Sequence, residues 1–308
     1  MKSYVIGIDV GGTNIKLGLV DSQGKITARN NFLTAPYASS KKSLINALAV
    51  AIKELIRRGE VDKKSILGIG IGLPGLIDPA KGMVNFLPNI PGWKNVPLKE
   101  ILEKKLHLPV FLDNDAKVVA LGEWKLGAGK GFEHLVCLTL GTGVGSGLIL
   151  DGRLYRGQTN TAGELGHVPL NEKGPLCHCG GSACLERTIG NRYLSEKAAQ
   201  VYGKEMTPEQ MGQRAQAGDA RALRFWKEAA THLANGLVSV VNLLNPRCIV
   251  IGGGVANNFP YMEKTIKTVL KKRALKIPVK PLLIKKSLLG EDAGILGAQV
   301  LVRHATIR

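Results

Sequence analysis

Aromatic residues are scarce in this chain of 308 residues, and long apolar runs are missing from it. Aromatic side chains make up 5% of the residues and apolar ones 44%, which is enough for a globular interior and excludes a disordered protein. No apolar stretch approaches the roughly 18–20 residues that span a bilayer. Asp9 interrupts the first apolar run, which is not typical of a secretory signal. We therefore expect a soluble, cytoplasmic protein without a membrane partner.

Acidic residues are also few. The chain has 24 Asp and Glu against 42 Lys and Arg, a formal net charge of +18, which favours anionic partners such as nucleotides, polyphosphate or nucleic acid. The densest basic run, residues 263–286, has nine Lys or Arg and one acidic residue. It carries no interleaved aromatic residues on which bases could stack. We interpret it as a solvated face and expect no nucleic-acid partner.

Apolar strands alternate with helical patterns along the chain, which indicates the α/β class. One hairpin is predicted from strands at 4–9 and 15–20, and a second from strands at 135–140 and 148–150. In each hairpin a turn rich in glycine and threonine joins the two strands. The repetition predicts a duplicated architecture.

Glycine-rich turns end three of the apolar strands. Adjacent glycines let backbone N–H groups approach a phosphate closely, and this pattern occurs at Asp9–Thr13, at Gly141–Gly147 and at Gly252–Gly254. Thr13 adds a hydroxyl donor, and Asp9 can hold a hydrated Mg²⁺ near phosphates. Each turn alone is equally consistent with a tight hairpin or a strand end. Together the three favour nucleotide binding.

Three of the five cysteines, Cys177, Cys179 and Cys184, lie within eight residues of one another. This spacing fits a metal site better than pairwise disulfides. With His167 they match the Cys₃His set of a structural, tetrahedral zinc site. We expect His178 to point outward between two ligands. The remaining cysteines, Cys137 and Cys248, are consistent with buried thiols.

Asp113, Asn114 and Asp115 follow an apolar strand. A carboxylate at a strand end can accept the proton of a hydroxyl nucleophile, as phosphoryl transfer requires. The alternative role is an N-cap of the following helix. The two roles can be divided, with Asp113 or Asn114 capping the helix while Asp115 faces a substrate.

Taken together, these motifs resemble those of the ROK sugar kinases, in the actin-like ATPase superfamily, over essentially the whole length. The segments that carry the resemblance are Asp9–Thr13, Leu112–Ala116, Leu140–Gly145, Gly163–His167, Cys177–Glu186 and Gly252–Gly254. The chain departs from the family at Ala183, where glycine is usual. The resemblance implies a two-domain actin-like ATPase (ribonuclease H-like) α/β fold with an active cleft between the domains. The small domain is expected at 1–115, joined by a C-terminal helix at 293–308, and the large one at 116–292 with the zinc-binding loop.

Specific roles follow from the resemblance, residue by residue. Asp115 takes the place of the catalytic base, and His167 would serve sugar and zinc with one ring nitrogen each. The expected sugar-binding residues are Gly75, Asn89, Asn114, Asp115, Glu164, His167 and Glu186. The expected ATP- and Mg²⁺-binding residues are Asp9, Gly11, Gly12, Thr13, Gly141, Thr142, Gly143, Gly145, Gly253 and Gly254. The expected Zn²⁺ ligands are His167, Cys177, Cys179 and Cys184.

The implied activity is ATP-dependent phosphorylation of a hexose at O6. The segment Leu87–Trp93 resembles the glucokinases of the family, which favours glucose, with N-acetylglucosamine or N-acetylmannosamine as alternatives. A sugar-sensing regulator is less favoured, because Asp115 is present and the first glycine turn starts at residue 9, leaving no room for a preceding DNA-binding module. The partners implied are sugar and ATP, in a homo-oligomer that is a dimer or a tetramer.

Overall fold

Two sheets with the same strand order form the framework of the protein. The structure, a computed structural model, describes residues 3–37, 40–88 and 90–306. In those ranges the strands are β1 (Tyr4–Val10), β2 (Asn14–Val20), β3 (Ile26–Leu33), β4 (Ile66–Leu73), β5 (Leu76–Asp78), β6 (Met83–Phe86), β7 (Lys94–Val96), β8 (Val110–Asn114), β9 (Leu135–Leu140), β10 (Val144–Leu150), β11 (Arg153–Tyr155), β12 (Cys248–Gly252) and β13 (Leu283–Lys286).

Ten α-helices lie in the described ranges. They are α1 (Lys41–Arg58), α2 (Leu98–Leu106), α3 (Asp115–Leu126), α4 (Glu186–Ile189), α5 (Asn191–Tyr202), α6 (Pro208–Gln216), α7 (Ala220–Leu244), α8 (Phe259–Arg273), α9 (Lys276–Val279) and α10 (Ala293–Thr306). Within the described part of the chain, no helix is both long and apolar enough to cross a membrane.

The first large sheet has the order β3-β2-β1-β4-β8, and the second has the order β11-β10-β9-β12-β13. In each sheet the first hairpin is antiparallel and the later strands are parallel to its first strand. Strands β1, β4 and β9 are apolar almost throughout, as expected for strands covered on both faces. The matching orders confirm the predicted α/β class and its duplication.

The chain forms two compact units. Unit 1 comprises Met1–Gly127, Arg156–Ala162 and Glu291–Arg308, and unit 2 comprises Ala128–Tyr155 and Gly163–Gly290. These bounds differ from the expected domains, 1–115 with 293–308 and 116–292. Helix α3 belongs to unit 1 because it packs along α10, where a Cβ at Gly297 would overlap the carbonyl oxygen of Val118. Close backbone packing of this kind cannot be inferred from the motif at 113–115.

Candidate functional site

The end of β8 and the start of α3 hold the predicted base and its neighbours. Asn114 is the N-cap of α3, because its Oδ1 accepts a hydrogen bond from the backbone N–H of Lys117 at 3.3 Å. Its Nδ2 donates to the carbonyl oxygen of Gly75 at 3.2 Å. The structure therefore brings two predicted sugar-binding residues together, and it assigns the capping role to Asn114 rather than to Asp113. Asn89 lies outside the described residues.

Asp115 is the first residue of α3, and its Oδ1 accepts a hydrogen bond from the backbone N–H of Ala116 at 2.8 Å. Its negative charge acts on Asp9, at the end of β1. Burial, with a further contribution from Asp115, raises the pKa of Asp9 to about 6, while Lys16 opposes the shift. The first turn of α10 also lies against Asp9, since a Cβ at Gly294 would overlap this carboxyl group. Two predicted functional carboxylates thus share one region of unit 1.

Hydrogen bonds to Asn14 and Thr34 order the first glycine turn. The backbone N–H of Gly11 donates to Asn14 O at 2.9 Å, and the backbone N–H of Thr34 donates to Thr13 O at 2.9 Å. Thr34 Oγ1 donates to Gly11 O at 2.9 Å. Gly12 and Thr13 are exposed, so the tip of this ordered turn is open to a ligand.

In unit 2 the second glycine turn is joined to a predicted sugar ligand. The backbone N–H of Val144 donates to Glu186 Oε2 at 2.8 Å. Gly143 permits this contact, because a Cβ there would overlap the same oxygen. Sequence reasoning missed the link, which joins residues 42 apart in the chain. It places the Glu186 carboxylate directly on the predicted phosphate-binding turn.

The other predicted residues of unit 2 lie in turns or next to them. Glu164 is exposed and immediately precedes a short 3₁₀ helix at Leu165–His167. Thr142 is exposed, and Gly145 lies in β10 opposite Thr139. Gly253 and Gly254 are both exposed at the end of β12.

The four predicted zinc ligands form one cluster, with all their ligand atoms within 4.8 Å of one another. Cys179 Sγ lies 3.7 Å from Cys184 Sγ, and Cys177 Sγ lies 3.7 Å from His167 Nδ1. Ligand atoms of a tetrahedral site with Zn–S bonds of about 2.3 Å are separated by about 3.7 Å. The cluster therefore fits a zinc ion through His167 Nδ1, which leaves Nε2 for another partner.

His178 differs in part from its expected role. Its side chain is exposed, as predicted, but Nδ1 lies 3.4 Å from Glu186 Oε1. The Glu186 carboxylate thus contacts both the glycine turn and His178 of the cysteine loop, the segment 167–186 that carries the four predicted zinc ligands. Sequence reasoning considered Asp113 only as a helix cap and did not single out Lys117, because the partners of these two buried side chains are remote in sequence.

The chain is similar to known proteins over nearly its whole length. The model of the ROK family matches residues 5–305. A glucokinase of Thermotoga maritima is 35% identical, and the match covers 98% of both chains. The crystal structure of a ROK family glucokinase from Streptomyces griseus, in complex with glucose and AMPPNP, is 30% identical with a TM-score of 0.83, covering 98% of this chain and 99% of that one. A xylose repressor of Caldicellulosiruptor bescii is 30% identical over 97% of this chain and 77% of its own length.

Proposed function

Since this chain belongs to the ROK family, with the actin-like α/β fold of that family, we propose that it is an ATP-dependent glucokinase that converts glucose to glucose 6-phosphate. The observation that carries the proposal is the ordered end of β8, where Asn114 caps α3 and Asp115 begins it. The near-full-length similarity to glucokinases supports the choice of glucose.

The proposed reaction is phosphoryl transfer with Asp115 as general base. Asp115 accepts the proton of the sugar 6-hydroxyl as the O6–Pγ bond forms and the bond from Pγ to the ADP oxygen breaks. The exposed backbone N–H groups of Gly12, Thr13 and Thr142 are proposed to stabilise phosphate charge, since those of Gly11 and Gly141 are hydrogen-bonded within their own turns. Asn114, Glu164, His167 and Glu186, with Gly75 and Asn89, are proposed to bind sugar hydroxyls.

Mg²⁺ and Zn²⁺ are the metals we propose for this chain. Asp9 would hold hydrated Mg²⁺, which neutralises phosphate charge, and a pKa of about 6 leaves its carboxyl mostly ionised at neutral pH. The Cys₃His cluster would hold a structural Zn²⁺. Coordination through His167 Nδ1 would fix the ring orientation and would leave Nε2 to contact a sugar hydroxyl. Metal analysis of freshly purified, unchelated protein is expected to find one zinc per chain, and its absence would contradict the site.

The activity test is ADP release with ATP and a panel of glucose, mannose, fructose, N-acetylglucosamine and N-acetylmannosamine. We expect the highest kcat/KM with glucose, because a site whose polar side chains hydrogen-bond the sugar hydroxyls discriminates strongly against sugars that lack those hydroxyls. A higher kcat/KM for either acetylated sugar would replace glucose as the substrate. Sugar binding without ADP release would instead favour a sensor, a role suggested by the xylose repressor's similarity.

We also place the enzyme in the cytoplasm, as a homo-oligomer without nucleic-acid or membrane partners. Light scattering coupled to size-exclusion chromatography, expected to give a dimer or a tetramer, tests the oligomeric state.

A further inference from the structure

An ion pair with a buried carboxylate lies close in sequence to the predicted catalytic base. Arg156 Nε and Nη2 both donate to Asp113 Oδ2, at 2.9 and 2.7 Å. The Asp113 side chain is 1% exposed and that of Arg156 is 31% exposed. This pair constrains its neighbourhood more than a surface pair does, because loss of Arg156 would leave the buried Asp113 carboxylate unpaired, at a large desolvation penalty.

Asp113 passes this constraint to the site residues. Its other oxygen, Oδ1, accepts a hydrogen bond from the backbone N–H of Asn114 at 2.8 Å. In the described residues β8 is the edge strand of its sheet, paired with β4 on one side. An edge strand lacks a second ladder to hold its end, so Arg156 supplies support that the sheet does not.

The segment that contains Arg156 is attached to unit 1 a second time. The Nζ of Lys117, a buried residue in the first turn of α3, donates to the carbonyl oxygen of Asn160 at 3.0 Å. Residues 156–162 therefore hold both the end of β8 and the start of α3. Asn114 and Asp115 lie between these two attachments in the chain.

We propose that Arg156 is a positioning residue: through Asp113 it sets the orientation in which Asn114 and Asp115 meet the sugar. This inference rests on the proposed sugar phosphorylation. Loss of Arg156 should disturb only the orientation of Asn114 and Asp115 toward the sugar. The KM for glucose and kcat should therefore change, while the KM for ATP should not. A purely structural role would reduce the amount of folded enzyme and leave both KM values unaltered.

The test compares Arg156→Met, Arg156→Lys and the double variant Asp113→Asn/Arg156→Met. Arg156→Met should lower kcat/KM for glucose by about 10²-fold, the effect of misplacing a reacting group by about 1 Å. Arg156→Lys should recover part of the loss, because it restores the charge but not the paired N–H donors. Arg58→Met, which removes an exposed pair with Glu54, is the matched control and should behave as wild type.

The double variant separates positioning from charge burial, because it leaves no unpaired carboxylate in the interior. We expect it to regain thermal stability but to keep the raised glucose KM. Wild-type kinetics in the double variant, or in a folded Arg156→Met protein, would overturn the inference.

If the wild-type protein releases no ADP, the proposed function fails separately. Calorimetric glucose titration of the same variants then decides: weaker binding by Arg156→Met supports the inference, and equal binding or no binding by wild type overturns it.

Discussion

The carboxyl group of Asp9 lies where its own charge is disfavoured. Burial and the nearby charge of Asp115 raise its pKa from 3.8 to about 6. The stability associated with the protonated form is therefore fully present below about pH 3.8 and is lost as the pH rises through about 6. At neutral pH the free protein carries an unfavourable charge at a position suited to bind a cation, which is the usual compromise between stability and function.

Replacing Asp9 by Asn should raise the thermal stability of the metal-free protein at pH 7, because the amide resembles the protonated carboxyl. The upper limit is about 3 kcal/mol from the pKa shift. The gain should shrink as the pH falls from 6 towards 4, and kinase activity should be lost at every pH. Thermal denaturation across this pH range, with chelator present, measures the effect. A stability gain that does not depend on pH would contradict the assigned cause.

Replacing Asp115 by Asn should lower kcat by at least about 10²-fold, the lower range for a lost proton acceptor. Its helix-capping neighbour Asn114 is unchanged, so α3 should remain folded. Single-turnover and steady-state ADP release with glucose measure the effect, and Asp62→Asn, at an exposed 3₁₀ cap, is the control. Near-normal turnover in Asp115→Asn would remove it from the role of base.

The cysteine loop contains a strained alanine. Ala183, where the family resemblance leads us to expect glycine, has a φ of +56°, in the left-handed region that costs a non-glycine residue about 1–2 kcal/mol. The backbone of this turn therefore has the conformation suited to glycine.

Ala183→Gly should therefore stabilise the protein by roughly 1 kcal/mol, less the greater flexibility of glycine in the unfolded chain. Ala199→Gly, in the interior of α5, provides a control of opposite sign, since glycine in a helix costs about 1 kcal/mol relative to alanine. Chemical denaturation of the zinc-loaded protein compares the two. Destabilisation by Ala183→Gly would contradict the strain argument.

Cys179→Ser tests the whole loop, because Cys179 is the exposed member of the four-ligand cluster. We expect loss of zinc, a lower melting temperature and a higher glucose KM. Without the metal the segment 167–186 should lose its order, and this segment carries the proposed sugar ligands His167 and Glu186. Cys137→Ala, at a buried cysteine of β9 outside the cluster, should retain zinc. Full zinc content and unchanged glucose KM in Cys179→Ser would refute the site.

The formal net charge of +18 belongs to the molecule as a whole. Helix α8 carries several exposed lysines and one acidic residue, Glu263, which forms an ion pair with Lys267. If the basic surface is only solvated, DNA binding should lack sequence preference and fall steeply with salt. Fluorescence anisotropy with two unrelated duplexes at increasing KCl tests this. Tight or sequence-dependent binding near 0.15 M salt, where the Debye length is about 8 Å, would establish a nucleic-acid partner.

Sequence patterns predicted best the elements whose apolar residues are regularly spaced along the chain. The apolar spacing of Leu44, Leu48, Ile52 and Leu55 predicts a helix at 41–58, and the apolar run at 66–73 predicts a strand. The structure has α1 and β4 with these bounds. The apolar face of Leu233, Leu237, Val240, Val241 and Leu244 predicts a mostly helical stretch at 195–245. The structure has most of α5 and all of α6 and α7 there, and Asp219 caps the start of α7 after α6 has ended. Apolar periodicity identifies an element, while its ends depend on single capping residues.

The sequence by itself determined which groups capable of binding or catalysis are present. These are the glycine turns, the Cys₃His spacing and the acids at the end of β8, and each is a pattern of residues close together in the chain. The tertiary structure decided which of these meet. The pairs Asp9 with Asp115, Asp113 with Arg156, and Glu186 with Val144 each join elements whose separation in sequence carries no signal. The physical reason is that local patterns follow from backbone geometry and burial, whereas the neighbours of a charge follow from how sheets and helices pack.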